Sequence, residues 1–234
     1  MGLSVGDLAG LAYQIALGGV DIIKEDHGLT DQPFARFSDR VDRCAEAIRR
    51  ANNQTGYRCL YVPNITAPTD RLFERAYEAK HLGAGGVMIA PGLAGWDAIR
   101  RLTAADDFAL PIFSHPAWLG TLVQSSEHGL THQVAFGQLP RLAGADATIF
   151  VNYGGRFPFS QQDCRGIILG ATSPLSSYPL IFPVPAGGMT LARLPEMYNF
   201  YGPQAIFLIA GGLYASGPDL AANAHQFRRQ VEAL

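Results

Sequence analysis

No stretch of about 18 consecutive apolar residues occurs in this chain, so the sequence contains no candidate for a membrane-spanning helix. The first twenty residues carry Asp7 and no basic cluster ahead of their apolar positions, so no secretory signal is expected there. Cysteine is scarce: Cys44, Cys59 and Cys164 are too few and too scattered for a disulfide framework or a cysteine-based zinc site, and a reducing cytoplasm is the expected compartment. Basic charge is thin as well. No Lys/Arg block exceeds two residues and the formal net charge is -2, so neither nucleic acid nor an anionic membrane surface is an expected partner. Phosphate-loop motifs are missing too, both G-x-G-x-x-G and G-x-x-x-x-G-K-[ST]. Charged residues make up 16% of the chain against a usual share of about 25%, while 48% are hydrophobic, which rules out global disorder and provides a sizeable core.

Short apolar runs fall at residues 20–24, 58–62, 86–90, 110–114, 147–151, 180–184 and 205–209, alternating with longer helix-like stretches. That alternation predicts parallel βα units, and most runs are apolar on both faces, as strands covered by helices must be. The phrases LGGVDII, LGAGGVMI and LAGADATIF each place a left-handed glycine at a helix-to-strand junction. Helices are expected over 5–17, 37–51 and 70–82. In the second, Asp39, Arg40, Arg43 and Glu46 should face water; in the third, Thr69 should be the N-cap. An open doubly wound sheet needs a phosphate loop after an early strand, which leaves a (β/α)8 barrel as the expected α/β architecture. Seven strands are counted where eight are needed, and the chain opens with a helix. The expectation is one barrel domain over residues 1–234 that lacks its first strand through truncation.

In such barrels the chemistry sits at the C-terminal strand ends. After the first run, in IIKEDHG, Ile22, Lys24 and Asp26 alternate onto one face and His27 follows at the tip. Taken alone, Lys24 and Asp26 read as an ion pair at a solvated strand end. The last two runs end in glycine pairs, Gly187–Gly188 and Gly211–Gly212, where barrels frequently bind phosphate through backbone N–H groups; tight turns are the plainer reading. Other strand ends offer Asn64, His115, and Asn152 with Arg156. His81, His128, His132 and His225 are placed in helical stretches and read as structural.

At IIKEDHG followed by QPFARFSDRVDRCAEA, the sequence resembles the C-terminal catalytic domain of the ribulose-bisphosphate carboxylase large-subunit family, whose pattern there is T-K-D-D-E and then QPF, Arg, Asp-Arg and CAEA. NITA resembles the family's NATA, EHG its NHG, and Gly2-Leu3-Ser4 the end of K-P-K-x-G-L-S, with Met1 at the x. The resemblance implies that the first strand, its lysine pair and an N-terminal domain lie upstream. It places Lys24 on the lysine that is carbamylated in the carboxylase and Asp26 on a magnesium ligand, with His27 replacing the glutamate of the metal triad. Imidazole is a poor ligand for Mg²⁺, so Mn²⁺ or another ion is an alternative. Other departures fall at Pro116 and Leu119 on strand 5, at Ile149, at Ala186, and at Arg156 in place of a lysine. Those at Pro116, Ile149 and Ala186 dismantle one of two phosphate sites and leave Gly187, Gly188, Gly211 and Gly212.

The pattern is that of the non-carboxylating, carboxylase-like branch. It implies a lyase or isomerase in the full-length form, acting by metal-assisted enolisation, isomerisation, or decarboxylation with C–C cleavage on a monophosphorylated keto-sugar or sugar acid. Lys24, His27, Asn64, His115 and Arg156 are the expected catalytic group, Lys24, Asp26 and His27 the metal group, and a homodimer the expected full-length assembly. The fragment alone is expected to be inactive, and a non-catalytic barrel remnant is the alternative. The acidic neighbours Glu25 and Asp26 are expected to oppose the neutral amine that a carbamate needs.

Overall fold

A computed structural model describes residues 2–125 and 127–234; Met1, assigned above to the family motif, lies outside them. Along the chain run α1 (Val5–Leu17), β1 (Ile22–Lys24), α2 (Phe37–Thr55), β2 (Leu60–Val62) and α3 (Thr69–His81). Then come β3 (Val87–Ile89), α4 (Pro91–Ala94), α5 (Trp96–Thr103), β4 (Ile112–Ser114), a π-helical segment (Gln133–Gln138) and α6 (Leu139–Ala143). The last part holds β5 (Ala147–Val151), α7 (Gln161–Thr172), β6 (Phe182–Ala186), α8 (Leu194–Tyr201), α9 (Gly211–Ala215) and α10 (Leu220–Glu232). The fold is α/β with parallel pairing: β1 and β2 form one sheet, and β3, β4, β5 and β6 follow in order in another. Two compact units divide the chain, one made of residues up to Met88 with Leu213–Leu234, the other of Ile89–Gly212.

In the first unit, α1 forms over the expected span because Ser4 and Asp7 close a capping box at its start. It runs so close to α10 that a Cβ at Gly18 would overlap Ala224 and the Ala221 carbonyl. Gly19, Gly83 and Gly144 take positive φ at the three junctions, as their phrases predict. α2 buries Phe37, Val41, Cys44, Ile48 and Ala51 at helical spacing, but Arg40 lies on that buried stripe and not in water. α3 starts at Thr69, so the N-cap position falls on Pro68, which offers no side-chain acceptor; Thr69 is not the cap.

In the second unit a cluster around Phe136, Phe150, Tyr153, Cys164, Ile167, Met197 and Tyr201 forms the core. Among the described residues six strands form where seven runs were expected. The seventh run, 205–209, touches β6 through one parallel bridge, Ala186 to Leu208. The cause lies in β6, whose sequence is FPVPA. Phe182 donates toward β5's side, to the Asp146 carbonyl, while Pro183 and Pro185 face the other neighbour with no N–H to give. Only half a ladder remains: Ile206 donates to Pro183 O at 2.9 Å and Leu208 to Pro185 O at 3.3 Å.

His81 ends α3 and His225 lies in α10, but His128 sits in a bend outside any helix, beside Ser125 Oγ at 3.1 Å. His132 abuts the π-helical segment and pairs with Asp163 at 3.1 Å. All three cysteines are buried free thiols. Among the described residues no helix is long and apolar enough to cross a membrane.

Candidate active site

The first unit assembles its polar groups where β1 ends. Strand alternation sends Lys24 and Asp26 to one side and Glu25 to the other. Glu25 is buried and fully engaged: it accepts from Arg40 Nε at 2.6 Å and Nη2 at 3.3 Å, from the Asn64 backbone N–H at 2.9 Å and from the Tyr61 hydroxyl. Arg40 also donates to the carbonyls of Thr30 and Ala35, both at 2.7 Å, so one buried guanidinium fastens the loop after β1 onto α2. Burial and the facing Glu25 push the Tyr61 phenol well above its ordinary value.

Lys24 is half-buried and its Nζ donates to the Glu25 carbonyl at 2.8 Å. Burial holds its pKa below the usual lysine value of 10.5, while Asp26 and Glu25 pull it back up by less. The acidic neighbours oppose the neutral amine, as expected, but desolvation is the larger effect and leaves the pKa lowered, and the Glu25 charge is matched by Arg40. Asp26 and His27 are exposed, with Asp26 Oδ2 3.9 Å from His27 Nδ1, and Asp26 Oδ1 accepts from the Gly28 N–H at 2.8 Å. Asn64 is buried and its amide is occupied by backbone. Its Nδ2 donates to His27 O at 2.8 Å and to Leu29 O at 3.4 Å, and its Oδ1 accepts from the Thr66 N–H at 3.1 Å. In this arrangement Asn64 holds the His27 turn in place.

Among the described residues no three His, Cys, Asp or Glu side chains cluster as metal ligands. Asp26 and His27 offer two donors, and a third from this strand end requires Lys24 to become an oxygen donor, which carbamylation would do. The residues fit a divalent ion on that condition.

The second unit gathers its groups after β4, β5 and β6. His115 is buried at the end of β4, and its Nδ1 accepts from the Ala117 N–H at 3.1 Å, which leaves the proton of a neutral ring on Nε2. Arg156 is exposed in the loop after β5 and stacks on Phe157 at 4.7 Å. β5 and β6 end in register at Val151 and Ala186, which sets Asn152 beside Gly187. Asn152 is buried, donates to Gly187 O at 3.2 Å and accepts from the Tyr201 hydroxyl at 2.6 Å. Gly187 and Gly188 both take positive φ, +99° and +68°, where L side chains are strained. Gly211 opens α9, with no atom outside its adjoining backbone within 4 Å of where its Cβ would stand, and Gly212 follows it.

Arg193, absent from the sequence-based set, lies over this loop pair. Its Nη1 donates to Gly188 O at 3.1 Å, its Nη2 to Tyr153 O at 3.5 Å, and its Nε meets Glu196 at 3.3 Å. Tyr153 closes the ring by donating to Glu196 at 2.8 Å. Burial, then that carboxylate, raises the Tyr153 phenol to about 12, and the same bond, with Arg193, lowers Glu196. Arg40 left a signal in the sequence, since it falls three residues after Phe37 on the apolar stripe of α2. Arg193 left none: its partners Tyr153 and Gly188 are 40 and 5 residues away and meet only in the fold.

Residues 1–157 match the family model for the ribulose bisphosphate carboxylase large chain, catalytic domain. The chain belongs to this family. Within it, the chain is 39% identical over 216 residues to the 5-methylthioribulose-1-phosphate isomerase of Rhodospirillum rubrum, covering 91% of this chain and 55% of that protein. It is 32% identical over 231 residues to the 2,3-diketo-5-methylthiopentyl-1-phosphate enolase of Bacillus pumilus, covering 97% and 57%. The crystal structure of a Rubisco-like protein from Rhodopseudomonas palustris superposes with a TM-score of 0.87 at 36% identity, covering 99% of this chain and 61% of that one. The family members it resembles thus include Rubisco-like proteins, as the sequence motifs imply. The chain spans between 52% and 61% of the length of the curated relatives it matches.

Proposed function

We propose that the protein, in its full-length form, removes a proton next to the carbonyl of a monophosphorylated keto compound and does not fix CO₂. The observation that carries the substrate class is the Gly187–Gly188 turn. Its two carbonyls are held by Asn152 and Arg193, while among the described residues the N–H groups of Gly188 and Met189 meet no protein acceptor. Backbone donors left open on a glycine turn suit an anion, and Gly187, Gly188, Gly211 and Gly212 are the proposed phosphate group. The two relatives named above act, by their names, on 1-phosphates carrying a 5-methylthio group. That favours a ketose 1-phosphate with an apolar far end, and an isomerase or enolase reaction over decarboxylation.

The proposed fold context is the family's (β/α)8 barrel, with this chain supplying all strands but the first and a homodimer as the full-length assembly. A divalent cation, Mg²⁺ or alternatively Mn²⁺ or another ion, would be held by Asp26 and carbamylated Lys24, with His27 beside them, and would stabilise the developing enediolate as a Lewis acid. Lys24, with its amine biased toward the neutral form, either accepts the proton or takes up CO₂ and releases one. His27 is proposed to hydrogen-bond substrate or move a proton, Asn64 to keep the His27 turn in place, and His115 to donate from Nε2 to a substrate oxygen. Arg156 would bring its cation to an anionic substrate group.

The test is wash-in of solvent deuterium at the carbon next to the carbonyl, followed by NMR with a panel of ketose 1-phosphates and the full-length protein. Exchange is expected in the wild type and lost in Lys24→Met. No exchange with any monophosphorylated ketose, or undiminished exchange in Lys24→Met, would overturn the reading.

A further inference from the structure

A trans peptide unit points its C=O and its N–H in opposite directions, and no peptide bond among the described residues is cis. The unit that joins Gly187 to Gly188 has its oxygen held by Asn152 Nδ2, which turns the Gly188 N–H the other way. The unit that joins Gly188 to Met189 has its oxygen held by Arg193 Nη1, which fixes the Met189 N–H in the same manner. Glycine at positive φ has no intrinsic reason to keep either orientation, so the two side chains set it.

Arg193 is itself fixed on three sides. Its second nitrogen reaches the Tyr153 carbonyl in the loop after β5, its Nε meets Glu196, and the guanidinium carbon lies 5.5 Å from the centroid of the Tyr153 ring. At Gly188 the room it occupies depends on glycine, while at Gly154 a Cβ would only come into contact with it. A Cβ at Gly188 would lie 2.9 Å from Nη1, and one at Gly154 would lie 3.4 Å from Nη2. Lysine, a single ammonium, does not reproduce a planar fork that bridges two carbonyls and a carboxylate.

We infer that Arg193 is a positioning residue of the glycine turn: braced by Glu196 and Tyr153, it orients the Gly188–Met189 peptide so that the Met189 N–H joins that of Gly188 as a donor to a phosphate oxygen. This rests on the phosphate reading above, and the two can fail separately. The guanidinium acts through the backbone and does not itself touch the anion.

The test is a titration of the full-length protein with inorganic phosphate, followed by the backbone amide resonances of Gly188 and Met189. In the wild type both amide protons move downfield. In Arg193→Gln the Met189 shift is lost while the Gly188 shift, set by Asn152, persists, and phosphate affinity falls about tenfold, as loss of one well-made charged contact predicts. Should Arg193→Gln fail to fold, Arg193→Lys and Glu196→Gln give the same readout and are expected to weaken the Met189 shift selectively. A Met189 response equal to the wild type in folded variants overturns the role of Arg193 and leaves the phosphate site standing. If neither amide responds in the wild type, the phosphate reading falls and this inference falls with it.

Discussion

Glu25 and Arg40 remove a full charge each from water, with side-chain exposures of 5% and 0%, a state that costs several kcal/mol per ion unless every lone pair and proton is met. Here every buried nitrogen and oxygen of the two side chains has a partner, so breaking the pair is expensive. Arg40→Leu is expected to destabilise the protein by about 3–5 kcal/mol in urea unfolding. The double variant Arg40→Met with Glu25→Leu should recover part of that loss. It still strands the Tyr61 hydroxyl and the Asn64 N–H, at about 1–3 kcal/mol each, so full recovery is not expected. Lys24 makes a pH prediction. Its folded pKa lies below the unfolded value, so between the two the unfolded chain binds more protons and stability rises with pH toward 10.5. Urea midpoints of the wild type should therefore climb over that alkaline window relative to Lys24→Met, and parallel curves would contradict the desolvation of this amine. For His27, titration of Mg²⁺ and Mn²⁺ in bicarbonate buffer into full-length wild type and His27→Ala separates two roles. Nearly unchanged affinity with turnover lowered roughly 10²- to 10⁴-fold is expected of a proton-moving group, and a large loss of affinity would place the imidazole on the metal.

At the scale of elements, β6 shows how two residues set where a sheet weakens. With Val at positions 183 and 185, each new N–H offers a ladder bond of about 1 kcal/mol, while losing proline's restraint on the unfolded chain gives back roughly 0.4–1 kcal/mol per site. Net stability should thus change little. Hydrogen exchange is the sensitive measurement: new protected amides are expected at 183 and 185 along 205–209, and rapid exchange at both would show that something other than missing donors limits the seventh run. The helices were the more legible elements. α1 appears over its predicted span because Ser4 and Asp7 are local signals three residues apart, and Ser4→Ala should cost about 1 kcal/mol. α2 forms where the periodicity predicts a helix, yet Arg40, whose charge alone predicts water, sits on the apolar stripe because Glu25 from the end of β1 meets it there. The cap expected at Thr69 falls one position earlier, on Pro68.

For the whole molecule, the family places the chain among carboxylases and carboxylase-like proteins, and the substitutions at Pro116, Ile149 and Ala186 point to the second group. The full-length protein is therefore expected to incorporate no labelled CO₂ into phosphoglycerate from ribulose bisphosphate; incorporation at ordinary rates would sink the assignment to monophosphorylated substrates.

The sequence by itself determined the α/β class, the parallel order of short strands, the glycine junctions and the candidate groups at strand ends. Each of these rests on neighbours within one or two turns of chain or on a motif that can be read as letters. Tertiary structure alone decided which of those groups are spent. It matched Glu25 with Arg40, lowered the Lys24 pKa against the pull of two acids, gave the Asn64 amide to the His27 turn and set Arg193 over Gly188. Those outcomes depend on burial and on partners brought from 5 to 40 residues away, and neither desolvation nor hydrogen-bond geometry can be read from the order of residues alone.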